Sequence, residues 1–279
     1  LSSIGVDFET EIPDAIVNLA HRSLNDGDLE EAREHVDRAL SMAPNHVRAK
    51  YASAILYGQN DRFSKGVSAL DDLIDDVPQY TDAYRKKGRY LLRLGEESEA
   101  IEAFKSAIDI EPDNPDLRAS VVHDLCHSET HDEAQKFANE AVEEGVTNCH
   151  LRFHLSEAEY YLSNYERSVE LIEDVQSSGV DEWVDSLMVL TQQCMSLIEL
   201  GETKKAEEIL GEVEERSSTA SNYYNLACLH SLIGNSEKSL DYLEKVVKSE
   251  GADYNEMLRT DPDLDPVRDL PRFQEIVSM

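Results

Sequence analysis

The chain has 279 residues, 58 of them acidic against 26 basic, for a formal net charge of −32. A field of that sign repels phosphate backbones, so nucleic acid is not an expected partner. No run of 18 apolar residues exists, so no membrane-spanning helix is expected.

The chain opens at Leu1 without a basic, apolar leader, which gives no sign of a signal peptide; the missing initiator methionine fits a fragment of something longer. Residues 1–12 read as an N-terminal extension. From residue 13 onward a small residue recurs at nearly constant intervals: Ala32, Gly66, Ala100, Ala134, Ser168, Ala206 and Ser239. A period of about 34 residues is the signature of a stacked helical array. With the recurring small residue at position 20 of a 34-residue unit, Pro44, Pro78 and Pro112 fall at position 32 and Ala39, Ala107 and Ala141 at position 27. Position 8 holds Ala20, Ala54, Gly88, Ser156, Cys194 and Ala227, with Val122 the larger exception. Small side chains there let two helix backbones approach at the short end of the usual range. Gly27, Gly95, Gly201 and Gly234 fall at position 15, where a tight turn between helices calls for the left-handed conformation. Pro115, after Pro112-Asp113-Asn114, opens a helix.

These registers resemble the tetratricopeptide repeat (TPR) family, whose unit is a helical hairpin of 34 residues. The third unit matches best, with Tyr84, Gly88, Gly95, Ala100, Phe104, Ala107 and Pro112 in the family's positions; the seventh, YNLACLHSLIGNSEKSLDYLEKVV, is similar. Units four to six are degenerate, with Arg118 and Arg152 where a bulky apolar residue is expected. The resemblance implies an all-α, right-handed superhelix, an α-solenoid of about seven hairpins. Units are expected near 13–46, 47–80, 81–114, 115–148, 149–180, 181–217 and 218–250, followed by a C-terminal cap at 251–279. Four extra residues precede unit six, where Asp181-Glu182-Trp183-Val184 lengthens the first helix. They read as a register adjustment that buries Trp183, or else as a bend dividing residues 13–178 from 179–279. The segment 261–274 resembles the looped aspartate-proline ending of many TPR regions, and Leu264, Val267, Phe273, Ile276 and Val277 would cover the last hairpin's apolar face.

In the family the first helices line a concave groove through positions 2, 5, 9, 12 and 13. In this chain that frame selects Arg48 and Tyr51 in unit two, and Arg85, Arg89 and Arg93 in unit three. It adds His123 and His127 in unit four, His150, Phe153 and Tyr160 in unit five, and Tyr224 in unit seven. The three arginines lie four apart, on one helix face. Arginine pairs bidentately with carboxylate, so a basic and aromatic lining inside an acidic protein suits an acidic segment. The competing reading is that these arginines neutralise acids of adjacent helices. The carboxylate clamp of co-chaperone members is not matched: its positions hold Val17 and His21, then Ala52, then Asp82 and Lys86, and only Lys86 resembles a clamp residue.

The i,i+4 pairs His123/His127 and His150/His154 have the spacing of a helix-borne metal face, but the two pairs sit at different heights along their helices, so no metal or other cofactor is expected. The four cysteines, Cys126, Cys149, Cys194 and Cys228, form no CxxC pair and read as small buried thiols in a reducing cytoplasm. No Walker-type glycine loop, nucleophile elbow or HExxH motif occurs, so no catalysis is expected. The acidity is that of a solvated convex face or an adaptation to high salt. The expected function is a non-enzymatic, cytoplasmic protein-interaction scaffold that binds an extended or helical acidic segment in its groove. Two alternatives are a regulatory or sensor module of a larger signalling or enzyme assembly, and a homo-oligomeric self-association array.

Overall fold

The computed structural model describes residues 8–178, 186–250 and 255–278. These residues form helices joined by short turns, in two compact units, Leu1–Thr130 and His131–Met279.

The first unit contains α1 (Phe8–Asn25), α2 (Leu29–Met42), α3 (Val47–Gln59), α4 (Phe63–Asp76), α5 (Thr81–Leu94), α6 (Glu97–Ile110) and α7 (Pro115–Cys126). Successive helices pack as antiparallel hairpins, α1 with α2, α3 with α4 and α5 with α6. The first helices also touch each other across the stack, α1 with α3 and α5 with α7. Helix α1 begins inside the expected N-terminal extension and carries Pro13 within it.

The second unit contains α8 (His131–Glu143), α9 (Cys149–Tyr161), α10 (Tyr165–Ser178), α11 (Ser186–Glu199), α12 (Thr203–Arg216), α13 (Ala220–Leu232) and α14 (Ser236–Glu250). Its cap is α15 (Asn255–Thr260), a 3₁₀ turn at Pro262–Leu264, α16 (Asp265–Arg268) and α17 (Pro271–Ile276). The boundary between the compact units falls between residues 130 and 131, and the four-residue insertion, read as a register adjustment or a bend, falls at the undescribed residues 179–185. Trp183 and its neighbours lie outside the described residues.

The period-34 small residues explain how the hairpins close. Positions 8 and 20 face each other, and the residues found there are fully buried, from Ala20 and Ala32 in the first hairpin to Ala227 and Ser239 in the last. A Cβ on Gly88 would come within 2.6 Å of the Phe104 ring, so unit three uses glycine to admit a phenylalanine from the second helix. Where position 20 is serine, its hydroxyl satisfies itself on the opposite backbone: Ser168 Oγ donates to Ser156 O at 2.8 Å and Ser239 Oγ to Ala227 O at 2.8 Å. A buried hydroxyl without such a partner would cost about 1–3 kcal/mol.

Helix ends follow local chemistry. Asn114 Oδ1 accepts from the amides of Asp116 and Leu117 at 3.0 and 3.1 Å, and Pro115 at the first helical position needs no partner for its nitrogen. At position 15 the turn is left-handed in every hairpin. Glycine supplies it at Gly27, Gly95, Gly201 and Gly234, while Asp61, Glu129 and Ser163 adopt it with φ of 54°, 60° and 62°. Arg118, in place of an apolar residue, is buried and directs Nε to Pro112 O at 3.1 Å. All four cysteines are in helices, three buried and Cys149 half-buried; burial pushes the Cys194 thiol up to about 12.

The cap closes the last hairpin as its apolar spacing requires. Leu258, Leu264, Val267, Phe273, Ile276 and Val277 are all buried against Ala227, Leu240, Leu243 and Val247. Roughly 2 kcal/mol per fully buried side chain of this size makes the cap a substantial part of the unit's stability. Arg272 fastens its far end to Asp241 and Glu244, both at 2.7 Å, and to Glu237 at 3.1 Å.

Candidate partner-binding surface

Helix α5 carries the densest positive charge of the first unit: Arg85, Lys86, Arg89 and Arg93 along its first-helix face, with Lys87 beside them paired to Asp71 at 2.6 Å. The three arginines do different jobs. Arg85 Nη1 donates to Asp124 Oδ2 of α7 at 2.8 Å, and the Asp124 side chain is only 2% exposed. Burial would push the Asp124 carboxyl up, but the His123 hydrogen bond and the Arg85 and Arg89 charges outweigh it, so its pKa lies below the ordinary value. Arg89 is half-exposed and reaches Asp124 through Nε at 3.9 Å only. Arg93 is exposed, with its guanidinium 4.9 Å from the centre of the Phe63 ring.

Beside this face lies a cavity of about 220 Å³, lined by Ile55, Gly58 and Gln59 of α3, Asp61 of the turn, Phe63 of α4, and Lys86, Arg89, Tyr90 and Arg93 of α5. Gly58 is required here because a Cβ would overlap the Tyr90 hydroxyl and ring. Lys86 is half-buried and has no ion-pair partner among the described residues. Burial and the adjoining Arg85 and Arg89 lower its pKa, with Asp124 and Asp82 opposing. The groove frame omitted Lys86; its only sequence signal was its clamp-like position.

Of the remaining expected site residues, Arg48 bonds Asp14 at 2.8 Å and Asn18 at 2.7 Å, tying α3 to α1. Tyr51 is half-buried, edge-on to Tyr80 at 5.4 Å, and burial raises its hydroxyl pKa. His123 of α7 and His127 at the helix C-cap stack at 4.1 Å.

In the second unit, the His150 ring lies 4.5 Å from His154, which is buried and bonds Glu157 at 2.5 Å. Phe153 corrects the sequence reading. It is 3% exposed and packs with Ile172, Val175 and Val189, so it belongs to the hairpin core and not to an open surface. Its helix is buried on both sides, and periodicity alone does not separate an inner-face aromatic from a core one. Tyr160 is half-buried between Tyr161 and Tyr165, with ring centres 5.5 Å away in each case. Tyr161 is 59% exposed and stacks on His131 at 4.3 Å.

Tyr224 is already engaged by this chain. Its hydroxyl donates to Asp261 Oδ2 of the cap, and Cys228 Sγ lies 3.8 Å from the same oxygen. The other Asp261 oxygen accepts from the Asp263 amide at 2.8 Å. Burial, then Asp261 and Glu199, push the Asp263 carboxyl up to about 6. Cys228, Asp261 and Asp263 are the one grouping of three potential metal-ligand residues among the described residues. Both Asp261 oxygens already accept hydrogen bonds, one from Tyr224 of α13 and one from the Asp263 amide, so the cluster is explained as a structural joint between α13 and the cap. No described helix is long and apolar enough to cross a membrane.

Two sequence models, both described as tetratricopeptide repeat, match the chain, one over residues 51–115 and the other over 13–46 and 220–253. Over 96 residues, 34% of this chain, it is 25% identical to the human (Homo sapiens) tetratricopeptide repeat protein 7B and 29% identical to the wheat (Triticum aestivum) Hsp70-Hsp90 organizing protein. The matches span only 11% and 16% of those relatives' lengths. A tetratricopeptide repeat protein from Parabacteroides merdae superimposes with a TM-score of 0.64 at 12% identity, over 96% of this chain and 99% of the other. The APC/C hetero-tetramer Cut9-Hcn1 gives 0.58 at 10% identity, over 97% of this chain and 49% of the other. Repeats of this type generally mediate protein–protein interaction. The 34-residue hairpins, the small residues that close them and these likenesses agree: the chain belongs to the tetratricopeptide repeat family.

Proposed function

We propose that this chain is a non-enzymatic interaction scaffold whose first-helix face binds an acidic, extended or helical segment of a partner protein. The observation that carries the reading is the charge on α5. In a chain with a net charge of −32, Lys86, Arg89 and Arg93 gather on one face, and among them only Arg89 approaches a buried acid, at 3.9 Å. Arg85 is better explained as the counter-ion of Asp124, which favours the competing reading for one arginine of the three, while Arg89, 3.9 Å from Asp124, and Arg93 support the partner-binding reading. The Tyr224 contact to Asp261 supports the same chemistry, because a groove-position tyrosine there receives an aspartate from the chain itself. Chaperone tails are not the proposed ligand despite the wheat relative, since Val17, His21, Ala52 and Asp82 replace the clamp.

The test is fluorescence anisotropy with a labelled glutamate-rich peptide and a neutral peptide of the same length. The glutamate peptide is expected to bind selectively and to weaken as salt rises. Arg89→Glu/Arg93→Glu should reduce its affinity at least tenfold while helical circular dichroism is kept. Equal binding of both peptides, or an unaffected double variant, removes the proposal.

A further inference from the structure

We propose that the cavity between α3, α4 and α5 is a phosphate-monoester site, occupied by a dianionic phosphate that Lys86, Arg89 and Arg93 hold from the α5 wall. As to the source of the phosphate, this rests on the partner-binding reading above; the site itself rests on the geometry.

Three cations line a cavity of about 220 Å³ and one carboxylate, Asp61, opposes them. Asp124 supplies little further compensation, because its close contact is Arg85 at 2.8 Å and Arg89 is 3.9 Å away. Asp82 also acts on Lys86 from the start of α5, yet the cavity lining itself remains net positive. A carboxylate carries one negative charge and two oxygens, a match for a single arginine fork. A phosphate monoester carries about −1.5 to −2 at pH 7 with three acceptor oxygens, a match for an ammonium and two guanidinium groups lining one wall of the cavity.

Two further details suit this occupant. Arg93 is already braced against Phe63 at 4.9 Å, so less side-chain freedom is lost on binding. Lys86 is held half-buried against like charges, and its lowered pKa is what a bound dianion would reverse. The protein's overall negative field does not prevent local binding, because charges beyond about 8 Å are screened at physiological ionic strength. It does discriminate against long polyanions, which would run beyond the cavity onto acidic surface.

The experiment is an NMR titration of the ¹⁵N-labelled chain with inorganic phosphate and, separately, with acetate, at constant ionic strength and pH 7.5. Saturable amide shifts confined to residues 58–63 and 86–93, with acetate at least tenfold weaker, are expected. Lys86→Met should weaken phosphate at least tenfold, and Arg93→Gln, on an exposed side chain, provides the same readout if Lys86→Met loses its fold. Phosphate shifts that are unsaturable or spread through the chain, or acetate binding as tightly as phosphate, overturn the site. An acidic peptide carrying phosphoserine and its serine counterpart then separate the sources. Tighter binding of the phosphopeptide than of free phosphate assigns the site to a modified partner segment, and binding of free phosphate alone assigns it to a small phosphorylated molecule. Glutamate-peptide binding that phosphate fails to displace overturns this inference and leaves the acidic-segment reading standing.

Discussion

The turn between the two helices of each hairpin offers a substitution series with an internal control. Seven turns adopt the left-handed conformation, four with glycine and three with Asp61, Glu129 and Ser163. An L-residue pays about 1–2 kcal/mol to sit there, and glycine pays back about 0.5–1 kcal/mol of that through greater freedom in the unfolded chain. Glu129→Gly should therefore stabilise by about 0.5–1 kcal/mol. Asp61→Gly should gain least, because aspartate tolerates this region better than most residues. The reverse change is equally clean: a Cβ on Gly95 would meet nothing within 4 Å, so Gly95→Ala isolates the backbone term and should cost about 1 kcal/mol. Urea unfolding followed by circular dichroism should show opposite shifts of the midpoint, of about 0.2–0.5 M for a slope of about 2–3 kcal/mol/M, with the slope unchanged. Hydrogen exchange locates the change at the mutated hairpin, since repeats unfold in neighbouring blocks. If Glu129→Gly is neutral or destabilising while Gly95→Ala is tolerated, turn conformation is not what limits these hairpins.

Four further outcomes are expected. Arg85→Met should lose about 3 kcal/mol, because it strands the buried Asp124 carboxylate, while Arg93→Met should cost under about 1 kcal/mol; equal losses in urea would contradict the division of labour on α5. Tyr224→Phe frees the Asp261 carboxylate and should weaken the cap by about 1.5–3 kcal/mol, seen as faster amide exchange in residues 255–278 without a change in residues 8–126. Stability should depend on pH with two signs. Asp124, lowered in the folded state, contributes stability above the ordinary aspartate pKa that is lost as pH falls through its folded value, whereas Asp263, raised to about 6, makes the cap less stable as pH rises from about 4 to 6. Limited proteolysis of the cap across that range should accelerate with pH, and Asp263→Asn should abolish the trend; a flat wild-type profile counts against it. If the net charge of −32 reflects adaptation to high salt, dialysis to low salt should reduce helical circular dichroism; an unchanged spectrum removes that idea.

Much of the hairpin geometry is legible without coordinates. Spacing alone locates the helix contacts, because a position that must be small in every repeat leaves a periodic trace. Positions 8 and 20 are such places, and their residues are buried as expected. The cap was legible for the same reason: five apolar residues on otherwise polar, proline-broken chain had one face to cover. Non-glycine turns were missed because Asp61, Glu129 and Ser163 carry no compositional signal of a positive φ. Phe153 was misread because a first helix packed between neighbours buries residues on two faces, so the family frame overcounts its open positions.

The sequence by itself determined the repeat, the hairpin contacts, the acidic field and the apolar cap, all of which follow from the periodic placement of small, apolar or charged side chains. Which cations are spent and which remain available was decided only by the tertiary structure. Arg85, Arg89 and Arg93 have equivalent spacing, yet a single buried aspartate, 31 or more residues away on α7, takes the first as its counter-ion, lies at the edge of reach of the second and leaves the third on Phe63. Likewise Tyr224 is filled by Asp261 because the cap folds back onto α13. Charge pairing depends on distance through space and on burial, and neither is written in the order of residues along the chain.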